Sequence, residues 1–334
     1  MSNAARTTYC EAILQGFEYL LDNHPEVFAI GQGLWSPWYV GNSMTDLDKI
    51  FNKSRIIDTS VSEAVTTGAA LGASLSGMKP IVVHPRMDFM LYCVDQIVNQ
   101  AAKWSHMFGG ECNSPCLTIR SIINRGGEQG AQHSQALHSW FAHIPGLRVV
   151  MPSTVEDARD LLISSVLSPD PVIYIDDRWL YSQEELVSPI EIKDLSQEVP
   201  KVLHEGTDLT VVASGYTTAL ALKAINTYKK IDSSSSIELI DLRVLNPIRP
   251  EIIYDSVRKT GRLICIDGGW SSCGIPSEII TLVCEKQSSL LKRNPKRLCL
   301  PNCSAPTSKT LENAYYMDEK NVLSCFDEIL QECN

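Results

Sequence analysis

Residues 147–175 read as strand, helix, strand, and this segment constrains the fold more than any other. The apolar run LRVVM ends at Met151. Ser153 and Glu156 then carry the S-x-x-E spacing of a capping box. Ala158, Leu161, Leu162, Ser165 and Val166 follow at helical spacing, Pro169 and Pro171 stop the pattern, and PVIYI reads as a second strand. A strand that returns through a helix runs parallel to its predecessor, so the sheet is predicted to be largely parallel and the class α/β. Similar apolar runs occupy residues 27–31, 80–84 and 116–122. A second alternation begins at residue 209, with strands over 209–214, 237–242 and 262–267 and helices over 217–228, over 249–257 and from about Pro276. Between the two alternations lies a stretch with many charges, two prolines and no sustained period. At 334 residues the chain is too long for one ordinary core. We therefore expect a domain over 1–183, a linker over 184–206 and a domain over 207–334.

The chain carries 29 Lys and Arg against 39 Asp and Glu, a net charge of −10, with no basic patch. That argues against nucleic acid as a partner. No apolar run approaches the length of a membrane span. The first twenty residues read as an amphipathic helix rather than a secretory signal. These features predict a soluble protein, cytoplasmic or, in a eukaryote, of the mitochondrial matrix. Eleven cysteines without a repeated spacing read as free thiols in a reducing compartment.

Three stretches carry candidate chemistry. In DTSVSEAVTTGAALGASLSGMKP, Ser60 and Glu63 repeat the capping-box spacing ahead of a helix of small residues. Glu63 is therefore either a capping residue or a carboxylate at a helix start facing an interface. Gly68 and Gly72 suggest close approach of a backbone or a ligand. In HPRMDFMLYCVDQIVNQAAKW, a strand ends at His84, and Phe89 and Tyr92 open an amphipathic helix. By position alone both aromatics belong to the core. In GGEQGAQHSQALHSWFAHIPG, His133, His138 and His143 are five residues apart and share no helix face. Their spacing makes no metal cage. Ligands of parallel sheets bind at the carboxyl ends of strands, and Glu63, Phe89 and His133 all follow predicted strands. No diphosphate-binding motif is present; Asp267-Gly268-Gly269-Trp270 is only superficially similar to a phosphate turn and is read as the start of a helix.

Taken in order, DTSVSEA, DFMLYCVDQIVNQAAK, LTIRS, GAQHSQ, WFAHIPGLRVVMPSTVEDARDLL, IDLRVLNPI and IDGGW resemble the β subunit of the thiamine-diphosphate-dependent first component of 2-oxo acid dehydrogenase complexes. This transketolase-like group acts on pyruvate, branched-chain 2-oxo acids or acetoin. The resemblance implies an N-terminal pyrimidine-binding domain and a C-terminal transketolase-like domain. It also implies an α2β2 tetramer whose α subunit holds the diphosphate and its Mg2+, and delivery of the acyl group to a lipoyl acyltransferase. Glu63 matches the glutamate that activates the cofactor, and Phe89 the aromatic that packs on its pyrimidine. Val61 and Tyr92 match neighbouring cofactor contacts, and His133 the histidine near the reacting centre. His138 and His143 are expected to be structural. The segment from His84 to Asp88 departs from the family pattern, and Arg86 and His84 become candidate contacts to an anionic substrate. A monovalent cation such as K+ is implied near Val166, Ser168 and Asp170, although Ser168 stands where the family has an acid. Two other readings are a split transketolase transferring a two-carbon unit and a non-catalytic assembly subunit.

Overall fold

The computed structural model describes residues 5–36 and 38–331 and has two units. One takes the chain up to Arg125 together with Trp140–Glu198; the other takes Gly126–Ser139 and the chain from Val199 onward.

The first unit is built on parallel strands hydrogen-bonded in the order Arg148–Val150, Val172–Asp177, Thr118–Ile123, Lys79–His84, Val27–Gln32 and Ile56–Thr59. The central strands Thr118–Ile123 and Val172–Asp177 are buried at every residue. That is why they read as continuous apolar runs rather than alternating ones. Helix Tyr9–Asn23 starts with a capping box between Thr8 and Glu11 and packs against helix Val155–Leu167.

A buried polar cluster ties this sheet to the loop after its strand Val27–Gln32. Arg120 lies within Thr118–Ile123, fully buried, and pairs with Asp176 at 2.8 Å. It also donates to Ser43 Oγ at 2.7 Å and to Tyr181 Oη at 3.0 Å. Burial alone would weaken its proton affinity, but the Asp176 charge outweighs that and raises its pKa.

The second unit has strands in the order Lys296–Leu300, Leu263–Trp270, Leu209–Ala213, Ile237–Asp241 and Lys201–His204, parallel except the last. Helix Tyr216–Ile231 and helix Glu319–Leu330 pack together, and Ala221, Ile225, Tyr228, Val322 and Phe326 share one core with the sheet.

The α/β class holds, and four local expectations change. The chain enters through a strand, Ala5–Thr8, before its first helix. That strand pairs antiparallel with Glu184–Val187, a stretch whose charges hid a strand; Arg6 and Glu184 meet across the pair at 2.7 Å. Lys201–His204 is the antiparallel edge of the second sheet, so segment 184–206 is not featureless. The cap of helix Val155–Leu167 is Thr154, one residue beyond Ser153, and Glu156 instead accepts from the Ser188 N–H. Finally, Asp267-Gly268-Gly269-Trp270 continues the strand Leu263–Trp270, and the next helix starts at Ile275.

Candidate functional site

At the carboxyl ends of three parallel strands of the first unit lies a shallow pocket, open to solvent. Gly31 and Gln32 line it from one strand, Thr59 from the edge strand, and Val83 and His84 from a third, with Ser60, Ser62, Glu63, Thr66, Pro85 and Phe89 completing the wall. In the sequence the turn beside it, Gly31-Gln32-Gly33, is only a weak G-x-G that departs from the family's acidic turn. A Cβ on Gly31 would lie 2.4 Å from the Val83 carbonyl oxygen, so only glycine lets the two strand ends approach this closely. The Asp58 carboxylate accepts from the N–H groups of Gly33, at 2.6 Å, and Leu34, at 3.2 Å, and fixes the turn.

Glu63 is the first residue of helix Glu63–Leu75. The predicted capping box is absent: Ser62 precedes the helix and its hydroxyl donates to the Val61 carbonyl at 2.6 Å. Glu63 therefore stands two positions short of the third helical residue, from which a capping-box glutamate reaches back. No hydrogen bond from a described residue reaches its half-buried carboxylate, which faces the pocket at the positive end of the helix. Neither glycine of this helix meets a close backbone within the chain: Gly68 touches only the Gln96 side chain, and Gly72 faces open space.

The aromatics of the next segment owe their placement to a change of helix type. Met87–Cys93 is a 3-10 helix, with three residues per turn. Met87, Met90 and Cys93 therefore stack on the buried side, and Phe89 and Tyr92 stack on the other. Neither aromatic is core: Phe89 is half-buried against the pocket, and Tyr92 is 72% exposed. A π-helix, Asp95–Ala101, follows and buries Ile97 and Ala101. An amphipathic α-helix was expected over the same residues. The apolar positions were read correctly and the period was not.

His84 is buried at the strand end and lines the pocket. Burial pushes its pKa down to about 4, so the ring is neutral near pH 7. Burial also pushes the Cys93 thiol up to about 11. Cys93 Sγ donates to the Met90 carbonyl at 3.0 Å, and His84 Nε2 lies 3.5 Å from the same sulfur. With the thiol proton directed to Met90, the sulfur is left to accept from Nε2–H. Arg86 is half-buried; burial, then the nearby Arg178 charge, lowers its pKa.

The pocket thus brings Glu63, His84 and Phe89 together, whereas Val61, Arg86 and Tyr92 are not among its walls. Val61 is 64% exposed. The residues proposed for a cation sit at the end of helix Val155–Leu167: Val166 and Ser168 are buried, and Asp170 accepts from Arg148 Nε at 2.7 Å. Among the described residues no cluster of His, Cys, Asp and Glu could hold a metal, and no helix is long and apolar enough to cross a membrane.

His133 belongs to the second unit, in the loop Gly126–Ser139, where it is half-buried and its N–H donates to the Gly130 carbonyl at 3.4 Å. His138 is fully buried in the same unit, with Nε2 2.9 Å from the Asp267 carboxylate; His143 is exposed.

A parallel-sheet unit with a pocket at its strand ends is followed by a second α/β unit. Residues 5–183 match the family described as transketolase, pyrimidine binding domain, and residues 200–322 match transketolase, C-terminal domain. The β subunit of acetoin:2,6-dichlorophenolindophenol oxidoreductase from Cupriavidus necator is 38% identical over 78% of this chain and 76% of its own. The mitochondrial pyruvate dehydrogenase E1 component subunit beta of Saccharomyces cerevisiae is 31% identical over 98% of this chain and 90% of its own. Among solved structures, a split gene transketolase described as an inactive beta4 tetramer superposes with a TM-score of 0.75 at 20% identity, covering 96% of this chain and 97% of that one. That likeness shows the fold. The chain belongs to the transketolase family, in the group of E1 β subunits of 2-oxo acid dehydrogenases.

Proposed function

We propose that this chain is the β subunit of a two-chain enzyme that uses thiamine diphosphate to cleave a 2-oxo acid or a related ketone and passes the acyl group to lipoamide. The observation that carries this reading is the Glu63 carboxylate. It stands at a helix start, without an internal partner, in a pocket that also has Phe89, Val83 and Pro85 beside the polar side chains of Gln32, Ser60, Thr66 and His84. A flat ring with polar edges and a basic nitrogen suits an aromatic face set beside a carboxylate and hydroxyls. When bound, the cofactor supplies a carbon nucleophile and a neighbouring aminopyrimidine base. Glu63 would hold a proton against the pyrimidine ring nitrogen. Phe89 would pack on the ring face, and neutral His84 would border it without adding charge. Val61 and Tyr92, on the exposed side of these elements, are assigned contacts made in the assembly rather than in the isolated chain. His133 is assigned to orient the substrate or assist acyl transfer.

An α partner is supported by two features. The chain has no phosphate-cradling motif. Its first unit also exposes Trp38, Val61, Val65, Tyr92 and Trp140 to more than half of their area. The diphosphate and Mg2+ are assigned to that partner, in an α2β2 tetramer.

The test is co-expression with the candidate α chain, supply of thiamine diphosphate and Mg2+, and a panel of pyruvate, branched-chain 2-oxo acids, acetoin and a ketose phosphate read with an artificial electron acceptor. Turnover of a 2-oxo acid or acetoin supports the reading and names the substrate. Turnover of the ketose phosphate alone would move the chain to two-carbon transfer. Silence from a well-formed complex would favour an assembly role.

A further inference from the structure

The segment Gly126–Ser139 reaches the start of helix His138–Ala142 through a run of unusual backbone angles. Gly126, Gly127, Glu128 and Gly130 all take left-handed backbone angles, with φ of 69°, 70°, 59° and 75°. A non-glycine residue pays for that conformation, so external contacts must maintain it. Two contacts that help do so lie five residues to either side of His133. On one side, the Glu128 N–H donates to Glu312 Oε1 at 3.0 Å, and Glu128 Oε1 accepts from the Lys309 N–H at 3.1 Å. On the other, His138 Nε2 meets both Asp267 oxygens, at 2.9 and 3.0 Å.

The second contact is an expensive choice for mere packing. His138 and Asp267 are both buried, and His138 Nδ1 has no hydrogen-bond partner among the described residues. An apolar pair of similar volume would fill this space at lower cost. The strand also gives up a side chain to admit the ring: a Cβ on Gly269 would lie 3.0 Å from His138 Cε1 and 3.1 Å from Asp267 Oδ2. What the polar pair adds is direction. A carboxylate only accepts, so Nε2 carries a proton, and the ring orientation is fixed by that bond.

We infer that His138 and Asp267 are a positioning pair that, with the Glu128 clamp, fixes the turn at residues 130–133 and sets the aim of His133. The inference rests on the role proposed above for His133. Its first readout does not: amide hydrogen exchange of segment 126–137 in the complete chain. His138→Ala is expected to speed that exchange roughly tenfold or more. In the assembled enzyme it should lower kcat roughly 10- to 100-fold, with KM changed less than about threefold. His138→Gln, whose amide N–H reaches the same carboxylate, should restore most of both losses. In a His133→Ala background, adding His138→Ala should cost little further turnover, because the pair acts through His133. Unchanged exchange in His138→Ala overturns the inference, as do losses that multiply in the double variant. Should His138→Ala fail to fold, Gly269→Ala crowds the ring without removing a partner and is read by the same exchange. If the assembly turns over no offered substrate, the proposed reaction fails while the exchange result still decides the pair.

Discussion

Replacing Glu63 by Gln separates folding from chemistry at a single atom. In the chain the carboxylate receives no hydrogen bond from a described residue and caps no backbone group, so the fold does not depend on its charge. The lost attraction to the helix start costs about 0.3–1 kcal/mol. That corresponds to a fall of no more than about 4 °C in Tm for a chain of this size. The chemical cost is of another order. Gln keeps the shape and can still touch the pyrimidine nitrogen, but it cannot move a proton there. Loss of a positioned acid–base group lowers rates by roughly 10²- to 10⁴-fold, about 3–5 kcal/mol in the barrier. The assay is acceptor reduction by the assembled enzyme with its best substrate, alongside exchange of the cofactor's acidic carbon-bound proton. Both should fall together while tetramer mass and Tm hold. A Glu63→Gln enzyme within tenfold of the parent in both assays would refute the assignment. A variant that fails to assemble would show instead that the carboxylate is structural.

Three further outcomes follow from the geometry. Gly31→Ala places a methyl group 2.4 Å from the Val83 oxygen and forces the strand ends apart. A loss of about 1–3 kcal/mol in denaturant unfolding is expected, together with weaker cofactor binding; an unchanged midpoint would show that the strands can move aside. Asp176→Asn leaves Arg120 buried opposite a neutral group, and removal of one partner of a buried pair costs about 3–5 kcal/mol. Unfolding by denaturant reads this directly, and a loss below about 1 kcal/mol contradicts it. His84 makes stability depend on acid. Its folded pKa is about 4 against 6.5 unfolded, so between those values the unfolded chain binds the extra proton. Stability from this group is therefore intact above about pH 6.5 and falls by roughly 3 kcal/mol by pH 4. His84→Phe should flatten that part of the pH–stability curve, and an unaltered slope places the acid sensitivity elsewhere.

Legibility in this sequence follows the range of the interaction involved. The buried parallel strands were plain because burial on both faces writes a continuous apolar run, as in Val172–Asp177. Glu63 and Phe89 were found by family resemblance, since a glutamate three residues after a serine is indistinguishable from a cap until the helix start is known. The helix begins at Glu63 itself, and that offset is what leaves the carboxylate to the pocket. Met87–Cys93 and Asp95–Ala101 were misread because helices of different winding differ by less than one residue per turn. Over two turns the apolar positions fit more than one period, and only packing decides. Asp58 and Asp267 lie in stretches that carry the resemblance and Gly31 in a weak G-x-G, but their contacts left no local pattern. Each acts on a residue distant along the chain: Asp58 on Gly33, Gly31 against Val83, Asp267 on His138. The only sign in the sequence was negative, a pair of glycines inside an otherwise apolar strand at Gly268-Gly269. Glycine weakens a strand unless something else needs the space, and here the space is taken by the imidazole of His138.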